Sequence, residues 1–179
     1  MMAAMSDPPG NADDMMASDR VTASVRRAAD SDVPAITRLV NRAYQVEDFF
    51  VDGDRIAERE VAALAEANQL VVLDGAGGGL AAAIQVDPSG ERGYFGLLSV
   101  DPDFQGLGLG RRMVAVAEAL CEAMGCRTMA LRVVNIREDL APWYRRLGYR
   151  ETGAIEPFND PRAKRPCHFV EMAKPLATA

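Results

Sequence analysis

Three glycines alternate with other residues in Gln105-Gly106-Leu107-Gly108-Leu109-Gly110, and two arginines, Arg111 and Arg112, follow at once. An apolar run ahead of them (Phe95, Leu97, Leu98, Val100) reads as a strand that ends at Asp101-Pro102-Asp103. A helical pattern continues behind them to Met124. Strand, glycine loop and helix in that order make a place for an anion. Glycine lets the backbone turn sharply and lets a ligand lie against it. The first amides of the helix lack internal partners and carry the positive end of the dipole, which suits a pyrophosphate. The G-x-G-x-x-G fingerprint is absent, because Arg111 stands where its third glycine should fall, and no G-x-x-x-x-G-K-[ST] loop is present.

A second chemical segment is Trp143-Tyr144-Arg145-Arg146-Leu147-Gly148-Tyr149, in which Leu140, Trp143, Tyr144 and Leu147 share one helical face. An unperturbed phenol has a pKa of about 10, so Tyr144 can donate a proton at neutral pH. A tyrosine on an apolar face is also an ordinary core residue. No serine or cysteine nucleophile motif is present. Candidate bases are Glu47, Asp48, Glu91 and Tyr94, with a water chain as an alternative. His168 is the one histidine and could face a pocket from the last strand or be structural. Metal chemistry is not expected, since one histidine and scattered cysteines supply no ligand pair at metal spacing.

The Q-x-x-G-x-G pattern of Gln105, Gly108 and Gly110, after Val-Asp-Pro and before Arg111, resembles motif A of the GNAT superfamily, the GCN5-related N-acetyltransferases. The Trp143–Tyr149 run resembles that family's aromatic-Tyr-x-x-x-Gly-aromatic signature, one strand further on. The resemblance covers about Val21 to Leu176. It implies an α/β (mixed α+β) fold, a twisted mixed sheet of about six to seven strands with about four helices. It also implies acetyl-CoA as donor and a small-molecule or peptide amine as acceptor, attacking directly in a ternary complex. Cofactor contacts would come from Gln105, Gly106, Leu107, Gly108, Leu109, Gly110 and Arg111 at the pyrophosphate. Leu98, Ser99 and Val100 would run beside the pantetheine arm, with a backbone amide near Leu98 polarising the acetyl carbonyl. Tyr144 would be the general acid at sulfur. Asn135 would touch the arm, although its spacing of nine from Tyr144 also fits a simple turn residue. Acceptor contacts would come from Tyr44, Glu47, Phe49, Tyr94 and His168, with Phe50 beside them. A non-catalytic acyl-CoA-binding module on the same fold is the alternative. A nucleotide-dependent oxidoreductase is disfavoured by the missing third glycine.

The elements that must position these residues follow in order. A strand over Val21–Ala28 leads to a helix with Ser31 or Asp32 as N-cap and Pro34 in its first turn. Tyr44 to Asp54 is a loop that mixes aromatics and carboxylates. A helix over Arg55–Ala67 follows, then strands over Leu70–Leu73, Leu80–Val86 and Arg92–Val100. The helix after the glycine loop presents Met113, Ala117, Leu120, Cys121 and Met124 on one face. Thr128–Val134 alternates as a strand and completes a βαβ crossover. A strand from Arg150, a long loop over Ile155–Pro166 and a last strand over Cys167–Ala173 close the chain.

The bulk composition agrees. The chain has 179 residues, 49 % of them apolar, which is enough for one sizeable core. Residues 1–20 read as a disordered tail and 21–179 as the domain. A net charge of −6 argues against nucleic acid, which needs clustered Lys and Arg, and is compatible with a cationic acceptor. Three cysteines without a framework point to a reducing compartment. No apolar run suits a membrane span and no signal peptide precedes the domain, so the cytoplasm is expected. Members of the family often dimerise, which leaves a homodimer open.

Overall fold

Apolar alternation and helical periodicity become seven strands and four α-helices in the computed structural model, which describes residues 21–76 and 78–177. In chain order these are β1 (Val21–Arg27), α1 (Val33–Tyr44), α2 (Glu58–Glu66), β2 (Leu70–Gly75), β3 (Leu80–Ser89) and β4 (Arg92–Val100). Then come α3 (Leu109–Ala123), β5 (Thr128–Val134), α4 (Leu140–Arg146), β6 (Arg150–Pro157) and β7 (His168–Pro175). Short 3-10 turns stand at Asp30–Asp32, Gln45–Glu47 and Pro102–Phe104. The strands form one mixed sheet in the order β1-β2-β3-β4-β5-β7-β6. β4 and β5 pair in parallel, whereas β1–β2, β2–β3, β5–β7 and β6–β7 are antiparallel. Parallel neighbours need a crossover, and α3 supplies it.

The chain divides into two compact units. The first comprises residues 21–46, 54–85 and 97–114, and the second 47–53, 86–96 and 115–177. In the first, Ile36, Leu39 and Val40 of α1 and Val61 of α2 pack with Leu70, Val72 and Ala83 of the sheet. Asn41 ties α1 to the chain before α2, because its side chain both donates to Ile56 O and accepts from Ile56 N at 3.0 Å. Arg26 on β1 holds Asp32 at 2.6 Å and Asp74 at 2.9 Å, joining the start of α1 to β2. The Asp32 carboxyl is pulled below its usual range, first by its hydrogen bond from Arg26. It also accepts from Ala29 N at 2.8 Å, ahead of α1.

In the second unit, Phe95, Cys121, Met129, Leu131, Tyr149 and Met172 are fully buried. The approach of α3 to β4 is set at Gly93. A Cβ there would lie 2.5 Å from Cys121 Sγ and 2.9 Å from Cys121 Cβ. β6 is the outer strand and is exposed along its length. Its register with β7 shifts between Glu151 and Ile155, a bulge that blunts a bare edge.

Several boundaries move from the sequence expectation. The second helix starts at Glu58 rather than Arg55, because Arg55 and Ile56 are held in the connection by Asn41 and by Arg55's stacking on Tyr44. β6 extends to Pro157, into the stretch expected to be loop, because it follows β7 by ladder pairing up to His168. Met124 is 59 % exposed, not on the buried face, because α3 ends at Ala123 and the chain turns at Gly125. The expected tail 1–20 lies outside the described residues.

Gly93→Ala is expected to destabilise the fold by about 1–3 kcal/mol, the range for overpacking a tight core. Urea denaturation reads it. A wild-type midpoint would mean that α3 does not press on β4 as closely as the geometry requires.

Candidate active site

The glycine loop belongs to the first unit, with all the other residues expected to hold a cofactor except Asn135. Asp101 ends β4, and its carboxylate accepts from Asp103 N at 2.9 Å, capping the turn over Pro102–Phe104. Gly106 (φ 79°) and Gly108 (φ 70°) then take left-handed conformations that a side chain resists. A Cβ at either would meet nothing within 4 Å, so the space above the loop is open. A bond of 3.1 Å from Arg112 N to Gly108 O closes the opening turn of α3. Helix-head amides precede the ladder and point outward. Gly110 is buried and Arg111 is exposed. The arrangement fits a pyrophosphate: open ground, glycines in left-handed conformations and the positive end of a 15-residue helix.

Upstream, Leu98 and Ser99 are buried and Val100 is half-buried. The last β4–β5 register pair is Tyr94 with Ala130, and β4 runs on to Val100. Leu97 has φ 49°, a left-handed conformation that costs a non-glycine residue about 1–2 kcal/mol. Ser99 Oγ donates to Leu97 O at 3.0 Å and holds the kink. The kink turns the backbone just before Leu98. Sequence reasoning missed it, and had no signal to use, because nothing about leucine announces a positive φ.

Tyr144 lies in the second unit, 6 % exposed, in an aromatic cluster. Its ring centroid is 4.7 Å from Trp143 and 5.9 Å from both Phe95 and Tyr149. The two tyrosines of the signature differ in their surroundings. Tyr149 donates its phenol proton to Glu118 Oε1 at 2.7 Å, and Lys174 also grips Glu118, at 2.9 Å. Burial first, then the bond to Glu118, pushes the Tyr149 phenol far above its ordinary range, so it stays protonated. Asn135 and His168 are paired. Asn135 Oδ1 accepts from His168 N at 2.8 Å, and Asn135 N donates to His168 O at 2.9 Å.

In the second unit, residues 47–53 and the connection between β6 and β7 clasp each other. Lys164 N donates to Phe50 O at 2.7 Å, Asp52 N donates to Arg162 O at 3.1 Å, and Val51 bridges Ala163. Lys164 Nζ reaches Asp48 O and Asp52 Oδ1, both at 2.6 Å. Phe50 is fully buried against Phe158, whereas Phe49 is 42 % exposed beneath the Arg165 guanidinium. Glu47 is buried and accepts from Arg137 Nη1 at 3.2 Å. Arg137 is itself only 4 % exposed and also holds Asp139 at 2.8 Å. Sequence reasoning did not single out Arg137, because its partner is 90 residues away. The Arg132 guanidinium lies over two rings, 5.5 Å from the centroid of Tyr94 and 5.4 Å from that of Phe169. The hydrogen bond with Tyr94 is the first cause holding the Arg132 guanidinium above its usual range. Tyr44 belongs to the first unit and carries Arg55 over its ring at 5.2 Å. Among the described residues no group of three or more His, Cys, Asp or Glu could hold a metal ion, and no helix is long and apolar enough to cross a membrane.

The chain belongs to the acetyltransferase (GNAT) family, whose model matches residues 33–149. It is 35 % identical over 87 residues to a mycothiol acetyltransferase of Cellulomonas flavigena, a match that covers 49 % of this chain and 25 % of that protein. The chain thus spans about a quarter of the length of that curated relative. Its fold is similar to the ribosomal-protein-S18-alanine N-acetyltransferase of Escherichia coli, with TM-score 0.71, 22 % identity, and 87 % and 95 % of the two chains covered. It is also similar to the yncA protein of Salmonella typhimurium, solved with its cofactor acetyl-CoA, with TM-score 0.69, 20 % identity, and 87 % and 95 % covered.

Arg137→Leu is expected to cost about 3–5 kcal/mol, because it leaves Glu47 buried without its cation. Replacing Glu47 and Arg137 together by leucine should recover most of that loss. Denaturation of the single and double variants checks both statements, and a double variant as unstable as the single one would contradict the account.

Proposed function

We propose that this chain transfers the acetyl group of acetyl-CoA to the amine of a small molecule or peptide, by direct attack in a ternary complex. The observation that carries the reading is the glycine loop at the head of α3, with open left-handed positions at Gly106 and Gly108, in a chain of the acetyltransferase family. The bound acetyl-CoA of a structural neighbour supports the choice of donor.

In this reading residues 21–179 act as the acetyltransferase domain, in the cytoplasm. Acetyl-CoA supplies an activated thioester. The backbone amides of Gln105 to Arg111 hold its pyrophosphate, with the α3 dipole behind them. The backbone of Leu98, Ser99 and Val100 runs beside the pantetheine arm. The Leu98 amide donates to the acetyl carbonyl oxygen, where negative charge develops during transfer. Tyr144 donates its proton to the departing sulfur. Asn135 contacts the arm through its amide nitrogen, since its oxygen is engaged with His168 N. Phe49, Tyr94 and His168 face the acceptor, and Glu47, buried against Arg137, holds the segment that carries Phe49. Phe49 is the exposed ring among the aromatics of the clasp, so it is the contact that an acceptor reaches first.

The test is acetyl-CoA-dependent thiol release with spermidine, an aminoglycoside and a peptide with N-terminal alanine as acceptors. At least one amine is expected to raise the rate above the background with no amine. Tyr144→Phe should then lower kcat by about a hundredfold, the scale of a lost general acid, while acetyl-CoA still binds. Tight acetyl-CoA binding with no amine-dependent release would instead favour a non-catalytic acyl-CoA-binding module.

A further inference from the structure

Arg42, in the last turn of α1, reaches two carboxylates at the head of the glycine loop. Its Nη1 lies 3.1 and 3.0 Å from the two oxygens of Asp101, and its Nη2 lies 3.1 Å from Asp103 Oδ2. Asp101 is a junction in its own right. Its N–H donates to Ala81 O on β3 at 2.9 Å, its carbonyl accepts from Phe104 N at 2.8 Å, and its Oδ1 caps Asp103 N. On the far side the Phe104 ring sits against Gly75, 3.0 Å from where a Cβ would stand. The turn over Asp101–Phe104 is therefore gripped by α1, β2 and β3, immediately before the open glycines.

The same two aspartates carry the wrong charge for a phosphate neighbour. Asp103 is three residues ahead of Gly106, a span of at most about 11 Å, close to one Debye length in physiological salt. The Arg42 guanidinium is held above its usual range, first by its hydrogen bond to Asp103 and then by the charge of Asp101. An exposed ion pair of this kind adds little to folding stability. Its geometry serves position and charge instead.

We propose that Arg42 is a positioning residue for the acetyl donor. It holds the turn that leads into the glycine loop, and it offsets part of the negative charge of Asp101 and Asp103 where the pyrophosphate must settle. The inference rests on the donor reading above.

Calorimetric titration with CoA at low and high sodium chloride tests it, on the wild type, Arg42→Gln, Arg42→Gln with Asp103→Asn, and Asp103→Asn alone. Arg42→Gln is expected to weaken CoA binding about fivefold at low salt, the size of one net hydrogen bond, while the melting temperature without ligand barely moves. Added salt should narrow the gap to wild type, because it screens the uncancelled carboxylates. Adding Asp103→Asn should restore part of the affinity although it restores no contact. Asp103→Asn alone, an exposed position that folding does not need, keeps the result readable if Arg42→Gln folds poorly, and should bind CoA as tightly as wild type or tighter. Wild-type affinity in Arg42→Gln at both salt concentrations, no rescue by the second change, or weaker binding by Asp103→Asn alone would each overturn the proposal. Failure of the wild type to bind CoA is a different result and defeats the donor reading itself.

Discussion

The direction in which α3 points depends on a side chain that is not there. At Gly93 the strand offers no Cβ, and Cys121 of α3 occupies the space that a Cβ would need. A helix pressed this closely on a strand has little freedom to roll or slide, because interiors pack at crystal-like density. The glycine loop belongs to the first unit and takes its shape locally, from the left-handed conformations of Gly106 and Gly108 and from the Arg112 N to Gly108 O bond that opens α3. The loop needs open, left-handed glycines to let a ligand approach, so it can contribute little rigidity of its own. It is held from outside: by α3 behind it and by the capped turn at Asp101 ahead of it.

Charge is used differently in the two units. In the first, Arg42 and Arg26 each span two aspartates at the surface, where such pairs orient more than they stabilise. In the second, Arg137 and Glu47 are buried together, and each offsets part of the cost of burying the other's charge. That pair fixes the start of residues 47–53, and the strand-like bridge from Val51 to Ala163 fixes the end. Two connections that share no secondary structure thereby become one clasp.

Much of this was legible locally. The β4 run, the glycines and the helical face behind them lie within 30 residues, and each pattern reports its own element. The seven-stranded mixed sheet and four helices agree with what the family resemblance implied. What the sequence did not show depends on distant partners. Phe49 and Phe50 look alike as letters, yet one is exposed and the other fully buried, because only Phe50 meets Phe158 from the β6–β7 connection. Glu47 reads as a candidate base and acceptor contact, and its burial shows only when Arg137 arrives from beyond β5. Asn135 reads as a turn residue or a cofactor contact, and its bond to His168 belongs to a strand 33 positions away. The kink at Leu97 had no letter to announce it. The positions of the candidate site residues were thus readable from pattern, while their surroundings were a product of the fold.

The central claim is that the glycine loop at the head of α3 is a binding site for the acetyl donor. The most direct measurement is a thermal-shift titration of the full chain with acetyl-CoA, CoA and NAD, repeated on Gly108→Trp, which sets a bulky ring in the open space above the loop. The account predicts a rise in melting temperature with both CoA compounds, none with NAD, and no rise in the variant. No shift with acetyl-CoA at millimolar concentration, or an equal shift in Gly108→Trp, would contradict it.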